Sequence, residues 1–363
     1  MNRSMDCLPF PGKVIRGAGA LSQTGAVCGL HGQRVFALGG KTALAKTKQP
    51  LSQAFSGASA KIVATEWYGG EVTWDNIERL AHKAKELRAD VILAIGGGKA
   101  LDTGKAVAAD SGLPIITVPT IAATCAAVTP LTVLYNDKGE FAGNLFLQNC
   151  PVAVIVDSKV ILDAPVVWLE AGMGDTLAKM YELRAAAARM EPASLTISAV
   201  VNGEICYDII RRFGSKARAA VKRREVTREF DSIVDAIIVA AGLSSIFGGE
   251  KLRNAAAHAI YNGFTTIAAT HKVAHGLIVG YGNLCLLALE ERSDEEIQTE
   301  IRLAADCGIP VTLKQIADMT PQELATAAQA SARANAMACM PFPVSAEMVI
   351  QAIQRVDRLA EGL

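Results

Sequence analysis

The sequence predicts an α/β domain followed by an all-α domain, and three observations support that fold class. Short apolar runs alternate with helical segments until Leu162, where strand-like runs stop. Alanine-rich segments with helical periodicity then continue to the end of the chain. One buried run ends at Ile95 and leads directly into three glycines. The alternation predicts a mostly parallel sheet with helices packed on its faces.

The predicted strands of the first domain are short runs rich in β-branched and other apolar residues. They are Arg34–Leu38, Ala60–Ala64, Asp90–Ile95, Pro114–Val118, Leu131–Tyr135 and Val152–Val156. Between the second and third runs, residues Trp74–Arg88 place apolar side chains at the 3.6-residue period of an amphipathic helix. Thr73 is its predicted N-cap, and Asp75 lies favourably in its first turn.

The second half of the chain carries signals for helix starts. Asp163 and Pro165 mark the first start, and Ser293 with Glu296 forms the sequence pattern of a capping box. Thr320 is followed by Pro321, a residue that favours the first helical position. We therefore predict two domains, residues 1–162 and 163–363.

Composition excludes several classes of partner. The 36 basic residues balance the 36 acidic ones, and aromatic residues make up only 5% of the chain, so we expect no nucleic-acid partner. The N-terminus lacks a secretory signal, and the apolar stretches Asp235–Gly242 and Leu277–Leu289 are too short to span a bilayer. We expect no membrane partner and a cytoplasmic location. The eight cysteines form no C-x-x-C pair, which indicates free thiols.

The glycine-rich turn at Gly96, Gly97 and Gly98 is the strongest local signal. Glycine lets the chain turn tightly and lets a pyrophosphate approach the backbone, and the next helix offers unpaired N–H groups. The segment matches neither G-x-G-x-x-G nor a Walker loop, so the other interpretation, a tight turn that binds no ligand, is not excluded. Asp102 fits either a helix cap or a contact to ligand hydroxyl groups.

Three of the five histidines lie in one part of the chain, and they suggest a metal site. His271 and His275 have the i, i+4 spacing that places two side chains on one helix face. His258 with His275 is the other pairing, and spacing alone does not decide between them. Upstream, Asp175 follows a glycine-rich break at a predicted helix start, where it suits either a metal ligand or an N-cap.

These segments together resemble the glycerol dehydrogenase branch of the iron-containing alcohol dehydrogenase superfamily. The similarity extends over nearly the whole chain. In chain order, the similar segments are Pro11–Leu21, Gly96–Thr103, Val118–Thr124, Gly172–Asp175, Ala257–Ile260 and His275–Gly276. The resemblance implies a Rossmann-like dinucleotide-binding domain, an all-α domain and a catalytic cleft between them, in a dehydroquinate synthase-like fold. It also implies an enzyme, an NAD(P)-dependent oxidoreductase that acts on CH–OH groups.

The resemblance also assigns residues to ligands. Contacts to the cofactor are implied for Gly96, Gly97, Gly98, Lys99 and Thr120, and its nicotinamide end is lined by Thr129, Leu131 and Tyr135. The metal ligands are implied to be Asp175, His258 and His275, with His271 left out. Iron-type relatives carry a further histidine where this chain has Lys179, and three ligands with an open position favour Zn²⁺ over Fe²⁺.

Two departures from the glycerol dehydrogenase pattern bear on substrate and cofactor. Cys125 replaces an aspartate that helps to hold the polyol, and the lost negative charge favours an anionic substrate. The pattern is closest to a hydroxycarboxylate dehydrogenase subgroup, so we expect reduction of small 2-oxo acids to 2-hydroxy acids. After the first predicted strand, Gly39, Gly40 and Lys41 stand where NAD-preferring relatives have an acid, so NADPH should be accepted at least as well as NADH.

Two other functions stay open at this point. One is a dehydrogenase for glycerol, another polyol or another alcohol, and the other is a non-catalytic nucleotide-binding module. For each, the expected partner is a small molecule. The family resemblance also implies a homo-oligomer.

Overall fold

The computed structural model describes residues 7–137, 139–250 and 252–362, which form two compact units. The α/β unit comprises the chain up to Ile121 together with Cys125–Ile161. The helical unit comprises Ala122–Thr124 and the chain from Leu162 onward. The division into domains of residues 1–162 and 163–363 stays a prediction.

Six strands of the described chain form a parallel sheet in the order β1-β8-β5-β4-β2-β3, and two form a separate antiparallel ribbon, β6-β7. The strands are β1 Val14–Gly17, β2 Arg34–Gly39, β3 Lys61–Trp67, β4 Val91–Gly96, β5 Ile115–Pro119, β6 Leu131–Tyr135, β7 Phe141–Phe146 and β8 Ala153–Asp157. The helices of this unit are α1 Thr24–Gly29, α2 Lys41–Phe55, α3 Trp74–Glu86, α4 Gly98–Ser111 and α5 Ser158–Leu162, whose last residue enters the helical unit.

The apolar pattern explains the sheet. Every residue of the central strands β4, β5 and β8 is buried, as expected for parallel strands covered on both faces. Helix α3 buries its apolar face and begins at the predicted cap, where the Thr73 hydroxyl accepts from the Asn76 N–H. It ends two residues before the predicted Arg88, because that residue adopts a left-handed conformation with φ of 48°.

Leu131–Tyr135 is a strand, as predicted, but it lies outside the parallel sheet. These residues pair with β7 in the antiparallel ribbon, with Leu131 opposite Phe146. No helix lies between β5 and β6 to return the chain for parallel pairing. Strand β7 was missed because Gly143 and Asn144 interrupt its apolar pattern and all of its residues are exposed or half-buried.

After β8 the described chain contains helices and no strand, as the sequence predicts. They are α6 Val167–Ala187, α7 Ser194–Arg223, α8 Arg228–Asp235, α9 Ala241–Gly248, α10 Ala256–Phe264, α11 His275–Leu289, α12 Asp294–Asp306, α13 Leu313–Ile316, α14 Pro321–Arg333 and α15 Ala346–Glu361. The predicted α/β and all-α fold class is confirmed. All eight cysteines are free, as the absence of C-x-x-C pairs indicated.

Of the three predicted helix starts, two are confirmed and one is wrong. At α14, Thr320 and Glu323 form a full capping box with Pro321 in the first turn. At α12 the Ser293 hydroxyl accepts from the Glu296 N–H, which is one half of the box. The start at Asp163 was wrong, because α6 begins at Val167 and has no side-chain cap.

One helical segment of the described chain, Arg228–Gly248, is long and apolar enough to cross a membrane. It is longer than the apolar stretch Asp235–Gly242 because α8, a π-helical segment and α9 follow one another without a break. However, 61% of its apolar window is buried inside the protein, which is typical of a core helix. A cytoplasmic location stays a prediction.

Candidate metal centre and glycine-rich strand ends

In the α/β unit, two neighbouring strands end in glycine, and a helix follows each strand almost at once. Strands β2 and β4 pair in parallel, so Gly39 and Ile95 lie at the same carboxyl edge of the sheet. Helices α2 and α4 start beyond Gly40 and Gly97, and neither helix has a side-chain cap. Their first backbone N–H groups therefore remain available to an anion.

The predicted glycine turn requires glycine for steric reasons. Gly96 has a φ of 151°, a conformation that side-chain-bearing residues rarely adopt. A Cβ on Gly97 would approach the Ile121 Cδ1 atom to 2.7 Å. Thr120 follows the adjacent strand β5 and donates its backbone N–H to the Gly96 carbonyl at 3.0 Å. Gly98 is the first residue of α4, so the segment forms the strand–turn–helix that the sequence predicts.

The other residues predicted to contact the cofactor mostly have protein partners. The Lys99 ammonium lies 2.5 Å from a Glu71 carboxylate oxygen and 4.8 Å from the centre of the Tyr135 ring. The buried Asp102 carboxylate forms an ion pair with Lys105 and accepts from the Val133 N–H. Lys105 also donates to the carbonyls of two predicted residues, Thr129 and Leu131. Contacts of these residues to a cofactor stay a prediction.

In the helical unit, one carboxylate and two imidazoles come together. Asp175, His258 and His275 each offer a ligand atom, and these three atoms lie within 4.8 Å of one another. The Asp175 Oδ1 atom is 3.4 Å from the His258 Nε2 atom and 3.5 Å from the His275 Nε2 atom. In a tetrahedral zinc site with bonds of 2.0–2.1 Å, ligand atoms lie about 3.3–3.4 Å apart. The donors therefore match the chemistry of a metal site, and the two separations from Asp175 fall in the range for ligands of one ion.

Close helix packing positions these three ligands. Next to Asp175, a Cβ on Gly174 would lie 2.2 Å from the Gly276 carbonyl oxygen. A Cβ on Gly282 would lie 2.9 Å from the Cα atom of Ala257, the residue before His258. Glycine thus brings α11 close to both α6 and α10, and the ligands project from these contacts.

We predict that replacing Gly276 with alanine separates α11 from α6. The added Cβ would lie 1.9 Å from the Ala171 carbonyl oxygen, and a backbone atom cannot rotate away. The free energy of unfolding should fall by about 1–3 kcal/mol, as measured by urea denaturation. The control is Gly362→Ala, where the nearest atom would be 3.8 Å away; an equal loss there would contradict the packing argument.

A fourth buried residue, Glu182, fixes the orientation of His258, and sequence reasoning missed it. Its Oε2 atom lies 2.6 Å from the His258 Nδ1 atom, and its Oε1 atom accepts the backbone N–H groups of Ala255 and His258. An ionised carboxylate only accepts hydrogen bonds, so the His258 Nδ1 atom carries the hydrogen. The Nε2 lone pair is then directed to the metal position. The sequence offers only a weak signal for this residue. Glu182 lies seven residues after Asp175, about two helical turns, which places both on one face of a helix.

The electrostatics of the group suit a cation. Burial alone would raise the pKa of Asp175, but hydrogen bonds with His258 and His275 hold it well below its ordinary value. Burial alone would lower the pKa of His258, but Glu182 and Asp175 raise it to about 9. Without metal, His258 is therefore protonated at neutral pH, between two carboxylates. Metal binding must displace the Nε2 proton, so the metal takes the place of that positive charge.

The structure also places the remaining predicted residues. His271 lies in a 3₁₀ segment ahead of α11, is exposed, and contacts the Thr265 carbonyl, so it does not share a helix face with His275. Asp175 lies inside α6, so its predicted position at a helix start was wrong; the glycines before it permit packing and do not break the helix. Cys125 is buried in the α/β unit.

Comparison with known proteins identifies the family of this chain. The family model described as iron-containing alcohol dehydrogenase matches residues 11–158. Glycerol dehydrogenase of Escherichia coli O6:H1 is 35% identical over 358 residues, which cover 97% of this chain and 96% of that protein. The chain belongs to the iron-containing alcohol dehydrogenase family. The predicted resemblance is thus confirmed, and the chain is an oxidoreductase that acts on alcohol groups.

Two further members of the family are informative. Hydroxycarboxylate dehydrogenase A of Escherichia coli K12 is 38% identical over 256 residues, 70% of each chain. The crystal structure of a probable glycerol dehydrogenase from Sinorhizobium meliloti 1021 superposes with a TM-score of 0.89 at 31% identity, covering 99% of this chain and 100% of that one. The full-length similarity to glycerol dehydrogenases supports the predicted alternative, a polyol dehydrogenase, better than the predicted 2-oxo acid reductase.

Proposed function

We propose that this member of the iron-containing alcohol dehydrogenase family is a Zn²⁺- and NAD(P)-dependent dehydrogenase of a small polyol such as glycerol. The observation that carries the proposal is the group formed by buried Asp175 and His258 with half-buried His275, in a chain similar over 97% of its length to a glycerol dehydrogenase. The non-catalytic alternative would not need a carboxylate–histidine pair held inside the protein behind these ligands.

The residues of the helical unit have distinct roles in this proposal. Asp175 and the two histidines hold the metal, and Glu182 holds the His258 ring in the orientation for binding. The Tyr261 ring packs edge-on against His275 with centroids 4.2 Å apart, which restricts that ring. The His275 side chain is 32% exposed, so the metal position is open on one side. When bound, Zn²⁺ supplies Lewis-acid chemistry at the substrate oxygen.

Zn²⁺ is favoured over Fe²⁺ by the donor set. Only three ligand residues converge in the part of the chain that the structure describes, and their spacing fits a tetrahedral site with one position left open. Lys179, one turn after Asp175, is buried and carries no lone pair for a metal when it is protonated.

The dinucleotide is assigned to the glycine-rich strand ends of the α/β unit. The uncapped starts of α2 and α4 suit a pyrophosphate, and the nicotinamide supplies the hydride chemistry. Gly39 and Gly40 present no carboxylate to repel a 2′-phosphate, and Lys41 adds a positive charge whose ammonium lies 4.3 Å above the Trp67 ring. We therefore propose that NADPH serves at least as well as NADH.

A second candidate function is the reduction of a small 2-oxo acid, and two residues favour it. Cys125 removes a negative charge from the segment that holds the polyol in glycerol dehydrogenases. Lys179 is buried close to Asp175, where its positive charge lowers the pKa of that carboxyl, and the same charge would attract an anionic substrate. The similarity to hydroxycarboxylate dehydrogenase A also supports this candidate.

A substrate screen with both cofactors distinguishes the two functions. The zinc-loaded protein is assayed on glycerol with NAD⁺ and NADP⁺, and on 2-oxobutyrate and 2-oxoglutarate with NADH and NADPH, by nicotinamide absorbance. We expect turnover of glycerol to exceed that of the acids, and faster turnover of an acid would establish the second function instead. A Michaelis constant for NADPH far above that for NADH would contradict the cofactor proposal.

A further inference from the structure

A buried ion pair on helix α4 contacts the backbone of strand β6. The Lys105 side chain is 1% exposed, and its ammonium lies 2.9 Å from the Asp102 carboxylate. The same ammonium donates to the Thr129 carbonyl at 3.1 Å and to the Leu131 carbonyl. The second oxygen of Asp102 accepts the Val133 N–H at 3.0 Å. We refer to the side chains of Asp102 and Lys105 as the β6 anchor.

The β6 anchor takes the place of a neighbouring strand along one edge of β6. Alternate residues of a strand direct their backbone groups to the same edge, and the anchor binds the backbone of Thr129, Leu131 and Val133. Strand β7 pairs along the other edge. A buried ion pair is weak evidence for stability, and its best attested effect is to fix one arrangement of the chain. We therefore expect the anchor to fix the position of β6 along α4.

The anchored segment lies on the side of the proposed dinucleotide site that faces away from the adenosine. The sheet order places β5 and β2 on opposite sides of β4, whose glycine turn is assigned to the pyrophosphate. The adenosine ribose is assigned to the end of β2. The nicotinamide half therefore extends toward β5 and the chain that follows it, residues 120–135.

We propose that Lys105, together with Asp102, is a positioning residue for the nicotinamide half of the dinucleotide. The inference rests on the proposed function, because it needs a dinucleotide at the glycine-rich strand ends. Lys105 lies too deep to touch the dinucleotide, so it acts through the backbone of residues 129–133.

Helix α4 links the two parts of the site. It begins at Gly98, beside the pyrophosphate position, and Asp102 and Lys105 follow about one and two turns later. One rigid element thus carries both the phosphate-binding start and the β6 anchor. The anchor thereby fixes the distance from the pyrophosphate to the segment next to the nicotinamide. Hydride transfer depends on this distance, since a misplacement of about 1 Å can reduce a rate by about 100-fold.

The test compares binding of NADH with binding of ADP-ribose, which lacks the nicotinamide, to the full-length, zinc-loaded protein. Isothermal titration calorimetry gives both dissociation constants. For Lys105→Met we expect the NADH affinity to fall by about 10-fold and the ADP-ribose affinity to change by less than about 2-fold. The control is Lys85→Met, because Lys85 pairs with Asp110 of the same helix at the surface and should affect neither affinity.

The outcomes separate positioning from a general loss of stability. Equal losses of affinity for NADH and ADP-ribose, or no loss for either, would mean that the anchor only supports the fold and would overturn the inference. An equal effect in Lys85→Met would overturn it as well. A wild type that binds neither compound would overturn the proposed dinucleotide site itself, and this inference with it.

A conservative variant keeps the inference testable should Lys105→Met fail to fold, as judged by circular dichroism. Thr132→Val removes a hydroxyl that ties β6 to α4, since it donates to the Asp102 carbonyl at 3.0 Å. The matched control is Thr24→Val, because both threonines are completely buried and each donates to one backbone carbonyl. Thr132→Val should weaken NADH more than ADP-ribose, and Thr24→Val should change neither. The same ratio of the two affinities in both variants would overturn the inference.

Discussion

Replacing His258 with alanine is expected to remove the bound metal and to reduce kcat/KM by about 1,000-fold or more. The substitution deletes one of three ligands and leaves Asp175 and Glu182 facing a cavity without the imidazole between them. Lewis-acid stabilisation of the reacting oxygen contributes several kcal/mol, and about 4 kcal/mol corresponds to a 1,000-fold change in rate. Metal content is measured by mass spectrometry of the purified protein, and activity is measured with the substrate found in the screen.

The matched control for this prediction is His271→Ala. His271 is the histidine that the i, i+4 spacing offered as an alternative ligand, but the structure places it outside the group of three. The control variant should retain its metal and its activity. A His258→Ala protein with full metal content, or a His271→Ala protein without metal, would show that the ligand set is wrong.

Replacing Glu182 with glutamine is expected to weaken metal binding by about 10- to 100-fold. The amide is nearly the same size as the carboxylate, and its oxygen can still accept the N–H groups of Ala255 and His258. Its NH₂ group then faces the His258 Nδ1 atom and makes that atom an acceptor. The ring hydrogen moves to Nε2, which therefore loses the lone pair that binds the metal.

Competition with a chelator measures this effect as a change in zinc affinity. The control is Glu170→Gln, because Glu170 is a buried carboxylate on the same helix, paired with Arg218 and not with a ligand. Both variants should lose stability, but only Glu182→Gln should lose zinc affinity. Equal affinities for the wild type and Glu182→Gln would mean that the carboxylate stabilises the fold without orienting the histidine.

Much of the fold could be predicted because its signals are local. Strands such as β4 are short, wholly apolar runs that end in glycine, and α3 has both the helical period and a cap. The ribbon β6-β7 could not be predicted in the same way. Its antiparallel pairing follows from the absence of a helix between β5 and β6. Its second strand contains Gly143 and Asn144 and is largely exposed.

The sequence alone did not identify all of the residues in the metal group. Histidine spacing left His271 and His258 as equal choices, and only the family resemblance favoured His258. The structure then brought His258 and His275 together through close contacts at Gly174 and Gly282, which depend on how three helices pack. Glu182 was missed because its spacing from Asp175 is a weak signal, and one glutamate on an alanine-rich helix otherwise resembles a solvated residue.

A crystal structure of the zinc-loaded protein, with anomalous diffraction recorded at the zinc absorption edge, tests the central claim most directly. We expect one strong anomalous peak in each chain, about 2.0–2.2 Å from a carboxylate oxygen of Asp175 and from the Nε2 atoms of His258 and His275. An active, zinc-loaded protein whose anomalous peak lies away from these three side chains would contradict it.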